Sequence, residues 1–150
     1  MELGRAETLR HGDDGVLIAC GTLVASCLRA AEQLAGEGLE LSVINARFVK
    51  PLDAETIVRA VRGHPFAVTV EEGALMGGFG SAVLEAACDA GVNTALLRRL
   101  GIPDRFIEHG GRDELLRDLG LDVTGIAETC RQLATDAGVG RGQPARAVRT

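Results

Sequence analysis

Short runs of apolar residues alternate along this chain with segments whose apolar positions recur at helical spacing. Val16 to Cys20 is a continuous apolar run after a GDDG turn, which is the pattern of a strand covered on both faces. From about Leu23 to Ala35 the apolar residues share one helical face, and Gly36 and Gly38 end the segment. The first unit is therefore predicted to be a strand followed by a helix.

The same order continues in the next part of the chain. A second strand is predicted over residues 41–45, and the following helix begins after Asp53, the predicted N-cap, and ends at Gly63. Its inner face consists of Ile57, Val58 and Val61. A third strand is predicted over residues 66–70.

Beyond the third strand the pattern predicts a glycine-rich turn and a third helix. Ser81 is the predicted cap of this helix, Gly91 is its stop, and a weaker fourth strand follows over residues 94–97. A short helix and a last helix from about residue 124 to 134 complete the chain. The residues predicted to face inward are Val83, Leu84, Ala87 and Cys88, then Leu115, Leu116 and Leu119, and finally Ile126, Cys130 and Leu133.

Strands that alternate with amphipathic helices predict an α/β fold of three layers. We expect a mostly parallel open sheet of about five strands, with helices on both faces and right-handed crossovers. The length of 150 residues suits one domain, which we expect over residues 1–134, with a disordered tail over 135–150. That tail carries Arg141, Arg146 and Arg149 and no acidic residue after Gly138.

Composition and charge exclude several classes of function. The net charge of −5 argues against a nucleic-acid or anionic-membrane partner, because those interactions require a basic surface. No apolar run of about 18 residues occurs and the N-terminus is too polar for a signal peptide, so we expect a cytoplasmic location. The four cysteines form no CxxC pair and the three histidines are far apart, so no zinc site is expected.

The common nucleotide motifs are also missing. The turn after the first strand, CGTLVAS, holds one glycine, and in the later turn Val83 stands where a GxGxxG motif needs its third glycine. No GxxxxGK[ST] sequence exists, which removes the P-loop. Nicotinamide and P-loop nucleotides are therefore not expected as ligands.

Two adjacent carboxylates follow the third strand, at the sheet edge where open α/β folds bind ligands. Glu71 and Glu72 are candidate acid/base groups, cation ligands, or partners of arginine in an internal or interface ion pair, which is the favoured alternative. In an extended segment they point to opposite sides. Arg47 and Lys50, after the second strand, lie along the same edge and are candidate ion-pair partners for them.

The remaining candidates are glycines and one histidine. Gly77, Gly78 and Gly80 are expected to allow a backbone conformation or a close approach that a Cβ would prevent, and Gly78→Val disrupts the turn if Gly78 has a positive φ. His109 is a candidate general base, although no acidic residue stands at a suggestive spacing and a structural role is favoured.

Several strings of this sequence resemble one family. ARFVKPLD, VTVEEGALMGGFGSAVLEAA, and above all LGIPDRFIEHGGRDELLRDLGLDVTGI are similar to the C-terminal domain of the 1-deoxy-D-xylulose-5-phosphate synthases, which are transketolase-like enzymes. The resemblance covers roughly Glu2 to Leu133. VEEG alone is shared with the beta subunits of 2-oxo acid dehydrogenases, which carry a similar domain.

The resemblance implies a parent enzyme that condenses pyruvate with glyceraldehyde 3-phosphate, giving 1-deoxyxylulose 5-phosphate and CO₂ for isoprenoid, thiamine and pyridoxal synthesis. It implies thiamine diphosphate and Mg²⁺ as cofactors, held by a GDG…NN motif and activated by a glutamate, both in other domains. This chain has GDDG at residues 12–15 and no Asn-Asn pair. We therefore expect no catalytic, cofactor or metal residue in this chain.

On this interpretation the chain is an excised or truncated third domain, and Met1 directly before ELGRAE fits an artificial start. It would be catalytically silent and would act as a dimerisation and scaffolding element packed against the catalytic domains. The candidate residues would then be structural or interface residues: Arg47, Lys50, Asp53, Glu71, Glu72, Gly77, Gly78, Gly80 and His109. One alternative is the C-terminal domain of a 2-oxo acid dehydrogenase beta subunit or of another transketolase-like enzyme. The others are a stand-alone interaction or regulatory module that dimerises through the Glu71 to Gly80 edge, and a small enzyme that uses His109 with Glu71 or Glu72.

Overall fold

The computed structural model describes residues 2–105, 107 and 110–139. The elements within these ranges are, in chain order, β1 (Glu7–Arg10), β2 (Gly15–Cys20), a 3₁₀ turn (Gly21–Leu23), α1 (Val24–Ala35), β3 (Leu41–Asn45), α2 (Ala54–Gly63), β4 (Ala67–Ala74), α3 (Phe79–Asp89), β5 (Leu97–Ile102), α4 (Arg112–Asp118) and α5 (Val123–Asp136).

The five strands form one sheet in the order β1-β3-β2-β4-β5. β3, β2, β4 and β5 are parallel, and β1 pairs with β3 in the antiparallel direction. The carboxyl ends of the four parallel strands therefore meet at one edge of the sheet. This arrangement confirms the predicted α/β class with a mostly parallel sheet.

Helices cover both faces of the sheet, because the parallel strands are apolar on both sides. Leu17 and Val68 project into a core that also contains buried residues of α1 and α5. Ile18, one position further along β2, projects into a second core with residues of α2 and α3. Successive side chains of a strand point to opposite faces, so each strand contributes to both cores.

The predicted start of α2 is confirmed. Asp53 is its N-cap, and its side chain accepts a hydrogen bond from the backbone N–H of Thr56 at 3.2 Å. The same carboxylate accepts the N–H of Ala6 at 2.9 Å, so it also ties the segment before β1 to this helix. Burial alone would raise the pKa of Asp53, but these hydrogen bonds outweigh it and lower the pKa.

Two predicted boundaries in the second half are wrong. α3 begins three residues earlier than expected, with Gly78 as its N-cap, and Ser81 instead lies in the first turn and donates its hydroxyl to the carbonyl of Leu75. The fourth parallel strand shares only Leu97 with the predicted segment and continues to Ile102. Its Arg98-Arg99 pair interrupts the apolar run on which the prediction depended. β5 lies at the edge of the sheet, where a continuous apolar run is not required.

Burial also differs from the prediction at two places. Cys88, expected to face inward, is exposed near the end of α3. α5 runs past residue 134, where the last helix was predicted to end, and Ala137 and Val139 pack against the core. Residues 140–150, which contain most of the predicted tail, lie outside the described residues.

Within the described part of the chain, no helix combines the length and the apolar character needed to cross a bilayer.

Candidate functional site at the carboxyl edge of the sheet

The two adjacent carboxylates at the end of β4 point to opposite faces of the sheet, as predicted. Glu71 turns toward α3, and Glu72 turns toward the 3₁₀ turn after β2 and the start of α4. The extended backbone of β4 causes this division, because consecutive side chains alternate. The two residues therefore belong to different environments.

Glu71 is the ligand of a helix N-terminus. Its side chain is buried, with 7 % of the residue exposed, and its two oxygens accept the backbone N–H groups of Phe79 at 2.7 Å and Gly80 at 3.1 Å. These N–H groups lie in the first turn of α3, where they have no partner within the helix and where the helix dipole favours negative charge. In many α/β proteins a phosphate occupies such a position. Here the chain supplies its own anion.

Glycines form the walls around this carboxylate. A Cβ at Gly78 would overlap the carbonyl oxygen of Ala74 and would lie 2.8 Å from both oxygens of Glu71. A Cβ at Gly73 would lie 3.3 Å from the same carboxylate, and one at Gly101 would lie 3.2 Å from its Cγ. The close approach that was expected of Gly78 is thus present, but Gly78 has a φ of −88° and the positive φ of 69° belongs to Gly77.

Gly80 allows α3 to approach β4 and β5 closely. A Cβ at this position would lie 2.7 Å from the hydroxyl of Thr69 and 3.2 Å from the Cγ of Arg99. The guanidinium of Arg99 donates to the carbonyl of Leu75 and to the hydroxyl of Ser81, both at 3.0 Å. Arg99 therefore fixes the β4–α3 turn from the neighbouring strand.

Glu72 makes an ion pair within the chain. Its oxygens accept two hydrogen bonds from Arg112, at 3.0 and 2.6 Å, and one from the hydroxyl of Thr22 at 2.6 Å. The hydrogen bonds from Arg112 and Thr22 lower the pKa of Glu72, and the same pair raises the pKa of Arg112. Glu72 thus connects the end of β4 with the starts of two other elements.

The basic residues predicted beside these carboxylates lie elsewhere. Arg47, which has a positive φ of 62°, forms an ion pair with Glu7 of β1, so the expected pairing with Glu71 or Glu72 is wrong. Lys50 is exposed and precedes a cis peptide bond to Pro51. His109 lies outside the described residues. The structure therefore brings Glu71 together with Gly78 and Gly80. Arg47 and Asp53 instead contact the chain around β1, through Glu7 and the N–H of Ala6.

Sequence reasoning did not identify Arg112, Thr22 or Arg99 as partners. Arg112 stands 40 positions beyond Glu72 and Thr22 stands 50 positions before it, and no local pattern links residues so far apart. The only available signal was topological, since Thr22 and Arg112 follow the carboxyl ends of β2 and β5, and Arg99 lies within β5. Which of many charged residues meet there depends on how the loops fold back.

Little at this edge resembles a reaction centre. Cys20, paired in register with Glu71, is half-buried, and burial together with the nearby Glu71 charge raises the pKa of its thiol. Both carboxylates are engaged in hydrogen bonds. Among residues 2–105, 107 and 110–139, no three His, Cys, Asp or Glu side chains are grouped to hold a metal ion.

A cleft of about 400 Å³ opens on the Glu72 side, between the starts of α1, α4 and α5. Arg29, Arg112 and Arg117 line it together with Asp113 and Asp122. Arg112 is held by Glu72, and Asp122 caps α5 through the N–H of Gly125. Opposite charges nearly balance in this cleft, so it does not select a ligand of one sign.

The sequence matches the family described as transketolase, C-terminal domain, over residues 4–126. The chain belongs to this family. Curated relatives named 1-deoxy-D-xylulose-5-phosphate synthase are similar to it. The proteins of Rhodopirellula baltica and Gloeobacter violaceus are 47 % identical over 92 % of the chain and 51 % identical over 87 % of it. The chain spans about a fifth of their length, 22 % and 20 % respectively.

Solved structures agree with this transketolase C-terminal fold. A chain described as a split gene transketolase, inactive beta4 tetramer, is 31 % identical and superposes with a TM-score of 0.80, covering 90 % of this chain and 44 % of that one. A transketolase from Leishmania mexicana, 21 % identical with a TM-score of 0.66 over 94 % of this chain and 19 % of its own, shows the fold alone.

Proposed function

We propose that this chain is the C-terminal domain of a 1-deoxy-D-xylulose-5-phosphate synthase, and that it acts as a scaffold and dimerisation element without catalysing the reaction itself. The observation that carries the proposal is identity of 47 to 51 % to proteins of that name over most of this chain, combined with coverage of only a fifth of theirs. The parent enzyme would be cytoplasmic and would join pyruvate to glyceraldehyde 3-phosphate with release of CO₂.

Thiamine diphosphate and Mg²⁺ would be held by other domains of that parent. The anion site that this domain builds does not fit a diphosphate, because Glu71 already accepts the N–H groups of Phe79 and Gly80. Gly73, Gly78 and Gly101 also surround this carboxylate at close range. No step of the reaction is therefore assigned to residues of this chain.

A role in assembly is supported by the chemistry of the carboxyl edge. Met76, at the tip of the β4–α3 turn, is 71 % exposed, and Leu3 and Val49 are exposed near the same edge. A contiguous exposed apolar patch marks a contact with another protein, and we propose that these side chains belong to one. The catalytic domains of the parent are the partners we propose for this edge, and a second copy of the whole enzyme completes a homodimer.

A domain exchange tests this proposal. In the Geobacter sulfurreducens relative, which is 49 % identical over 97 % of this chain, the matching segment is replaced by this sequence. We expect the exchanged enzyme to retain activity with pyruvate and glyceraldehyde 3-phosphate and to remain dimeric, whereas the enzyme lacking the segment loses both. An exchanged enzyme that folds but is inactive and monomeric would refute the assignment.

The isolated chain provides the complementary measurement. We expect no turnover of pyruvate with the triose phosphate, and no heat of binding in calorimetric titration with thiamine diphosphate and Mg²⁺. Turnover by the purified chain would refute the proposed silence of the domain, and so would micromolar binding of the cofactor.

A separate subunit of a split enzyme is the second candidate. It is favoured by the likeness to the split gene transketolase, whose described state is an inactive beta4 tetramer. Under this alternative the isolated chain forms a tetramer by light scattering and gains activity only when the other subunit is added. A single reading frame that also encodes the cofactor-binding domains would exclude it.

A further inference from the structure

The first turn of α3 is built as an oxyanion site. Two backbone N–H groups, those of Phe79 and Gly80, converge on one buried carboxylate, and the helix behind them is 11 residues long. A buried anion at this point gains from both the unpaired N–H groups and the helix dipole. The ligand in this structure is Glu71, a residue that is eight positions away from Phe79 along the chain.

A third polar group faces the same turn without a partner. The hydroxyl of Thr69 is fully buried, and it makes no hydrogen bond within the described part of the chain. It points toward Gly80, since a Cβ there would lie 2.7 Å from it. Thr69 is two residues before Glu71 on β4, and so it projects from the same face of the strand. A buried hydroxyl without a partner is uncommon in folded proteins.

The shape of the site is set by backbone on three sides. Gly73, Gly78 and Gly101 approach Glu71 so closely that an added Cβ would lie between 2.8 and 3.3 Å from its side chain. Such walls leave room for a flat carboxylate and not for the additional oxygens of a tetrahedral phosphate. Backbone walls also yield less readily than the ends of flexible side chains.

We propose that the β4–α3 turn is a carboxylate-binding site which the chain fills with its own Glu71, and that removal of this side chain opens it to a small external carboxylate but not to phosphate. Because β4 holds this carboxylate in place, it binds as a well-oriented intramolecular group that free anions do not displace, so the unmodified site stays closed. This inference concerns the turn itself and does not rest on the proposed function.

The test uses Glu71→Ala, because the alanine lacks the CH₂–COO⁻ group that acetate supplies. Sodium acetate is titrated into the ¹⁵N-labelled chain at constant ionic strength, with chloride as the balancing anion, and the amide resonances of Phe79 and Gly80 are followed. We expect saturable shifts in the variant with a dissociation constant on the order of 10 mM. At 100 mM acetate the folding equilibrium constant should then rise about tenfold relative to chloride.

Glu72→Ala is the matched control. It removes the same group from the adjacent residue on the other face of β4, and neither it nor the unmodified chain should show acetate-dependent shifts at Phe79 or Gly80. Inorganic phosphate forms the second arm of the experiment. A folded Glu71→Ala variant whose two amides do not respond to acetate would overturn the proposal, and equal affinity for phosphate would overturn the shape argument.

If the alanine variant does not fold in chloride, Glu71→Gln provides a second test of the proposal. Its amide keeps the shape but can no longer offer an oxygen to both N–H groups. We expect hydrogen exchange at Phe79 and Gly80 to accelerate at least about tenfold relative to Glu72→Gln. Unchanged exchange rates would show that the carboxylate is not the ligand that holds this turn.

Discussion

The glycines around Glu71 lead to a prediction about stability. It distinguishes steric crowding by an added Cβ from the cost of an unfavourable backbone conformation. Gly78→Ala adds one methyl group to a residue with a negative φ, where the backbone itself accepts alanine. That methyl group would overlap the carbonyl oxygen of Ala74 and approach both oxygens of Glu71 to 2.8 Å, inside the 3.0 Å that Cβ atoms essentially never cross. The turn must therefore move away from Glu71.

The magnitude follows from three contributions. Forcing a methyl group into a packed site costs about 1 to 3 kcal/mol. Weakening one hydrogen bond to a buried charge costs about 1.5 to 3 kcal/mol more. Alanine restores about 0.4 to 1 kcal/mol by restricting the unfolded chain. We expect Gly78→Ala to lower the free energy of unfolding by roughly 2 to 5 kcal/mol.

Two other glycines serve as controls. Gly77 has a φ of 69°, and a Cβ added there would have no atom within 4 Å. Gly77→Ala should therefore lower the free energy of unfolding only by the cost of placing alanine in the left-handed conformation, about 1 to 2 kcal/mol. Gly63, at the end of α2, is equally open and has no positive φ, so Gly63→Ala should be neutral or slightly stabilising. Urea unfolding followed by circular dichroism measures all three variants. If Gly78→Ala is no less stable than Gly77→Ala, the crowding argument is refuted.

The other predictions concern charges and thiols. Asp53→Ala removes the cap of α2 and the acceptor of the Ala6 N–H, so it should lower the free energy of unfolding by about 1 to 2 kcal/mol, while Glu55→Ala on the exposed face of that helix should change it by less than about 0.5. Glu72→Gln should cost at most about 1 kcal/mol at pH 7 because the pair with Arg112 is solvent-exposed. The folded-state pKa of Glu72 is lowered from 4.5, so this difference is fully present above that value and disappears as the pH falls through the folded pKa. A difference that does not shrink as the pH is lowered below 4.5 would contradict it. Burial raises the pKa of Cys27, and that of Cys130 to about 12, so Ellman's reagent at pH 8 should modify exposed Cys88 rapidly and these two only after unfolding. Rapid labelling that persists when Cys88→Ser is combined with Cys20→Ser, which removes the half-buried thiol as well, would show that one of the buried thiols is accessible.

The order of strands and helices was readable from the sequence wherever apolar spacing was regular. β2 and β3 are buried on both faces and have continuous apolar runs, so their positions were predicted to within one residue. Asp53 was recognisable as a cap because its partner is only three residues away. Edge strands were the weak point, since β1 has the sequence ETLR and β5 contains Arg98 and Arg99.

The partners at the carboxyl edge were decided by the tertiary structure. The sequence by itself determined that Glu71 and Glu72 end a buried strand, precede a glycine-rich turn and point in opposite directions, because alternation along a strand is a local property. It did not determine that Glu71 would close the start of α3 or that Glu72 would bind Arg112, since the loops bring those groups together only when the sheet and its helices have packed. Local periodicity predicted most of the buried residues, whereas contacts across 40 or more positions depend on the whole fold.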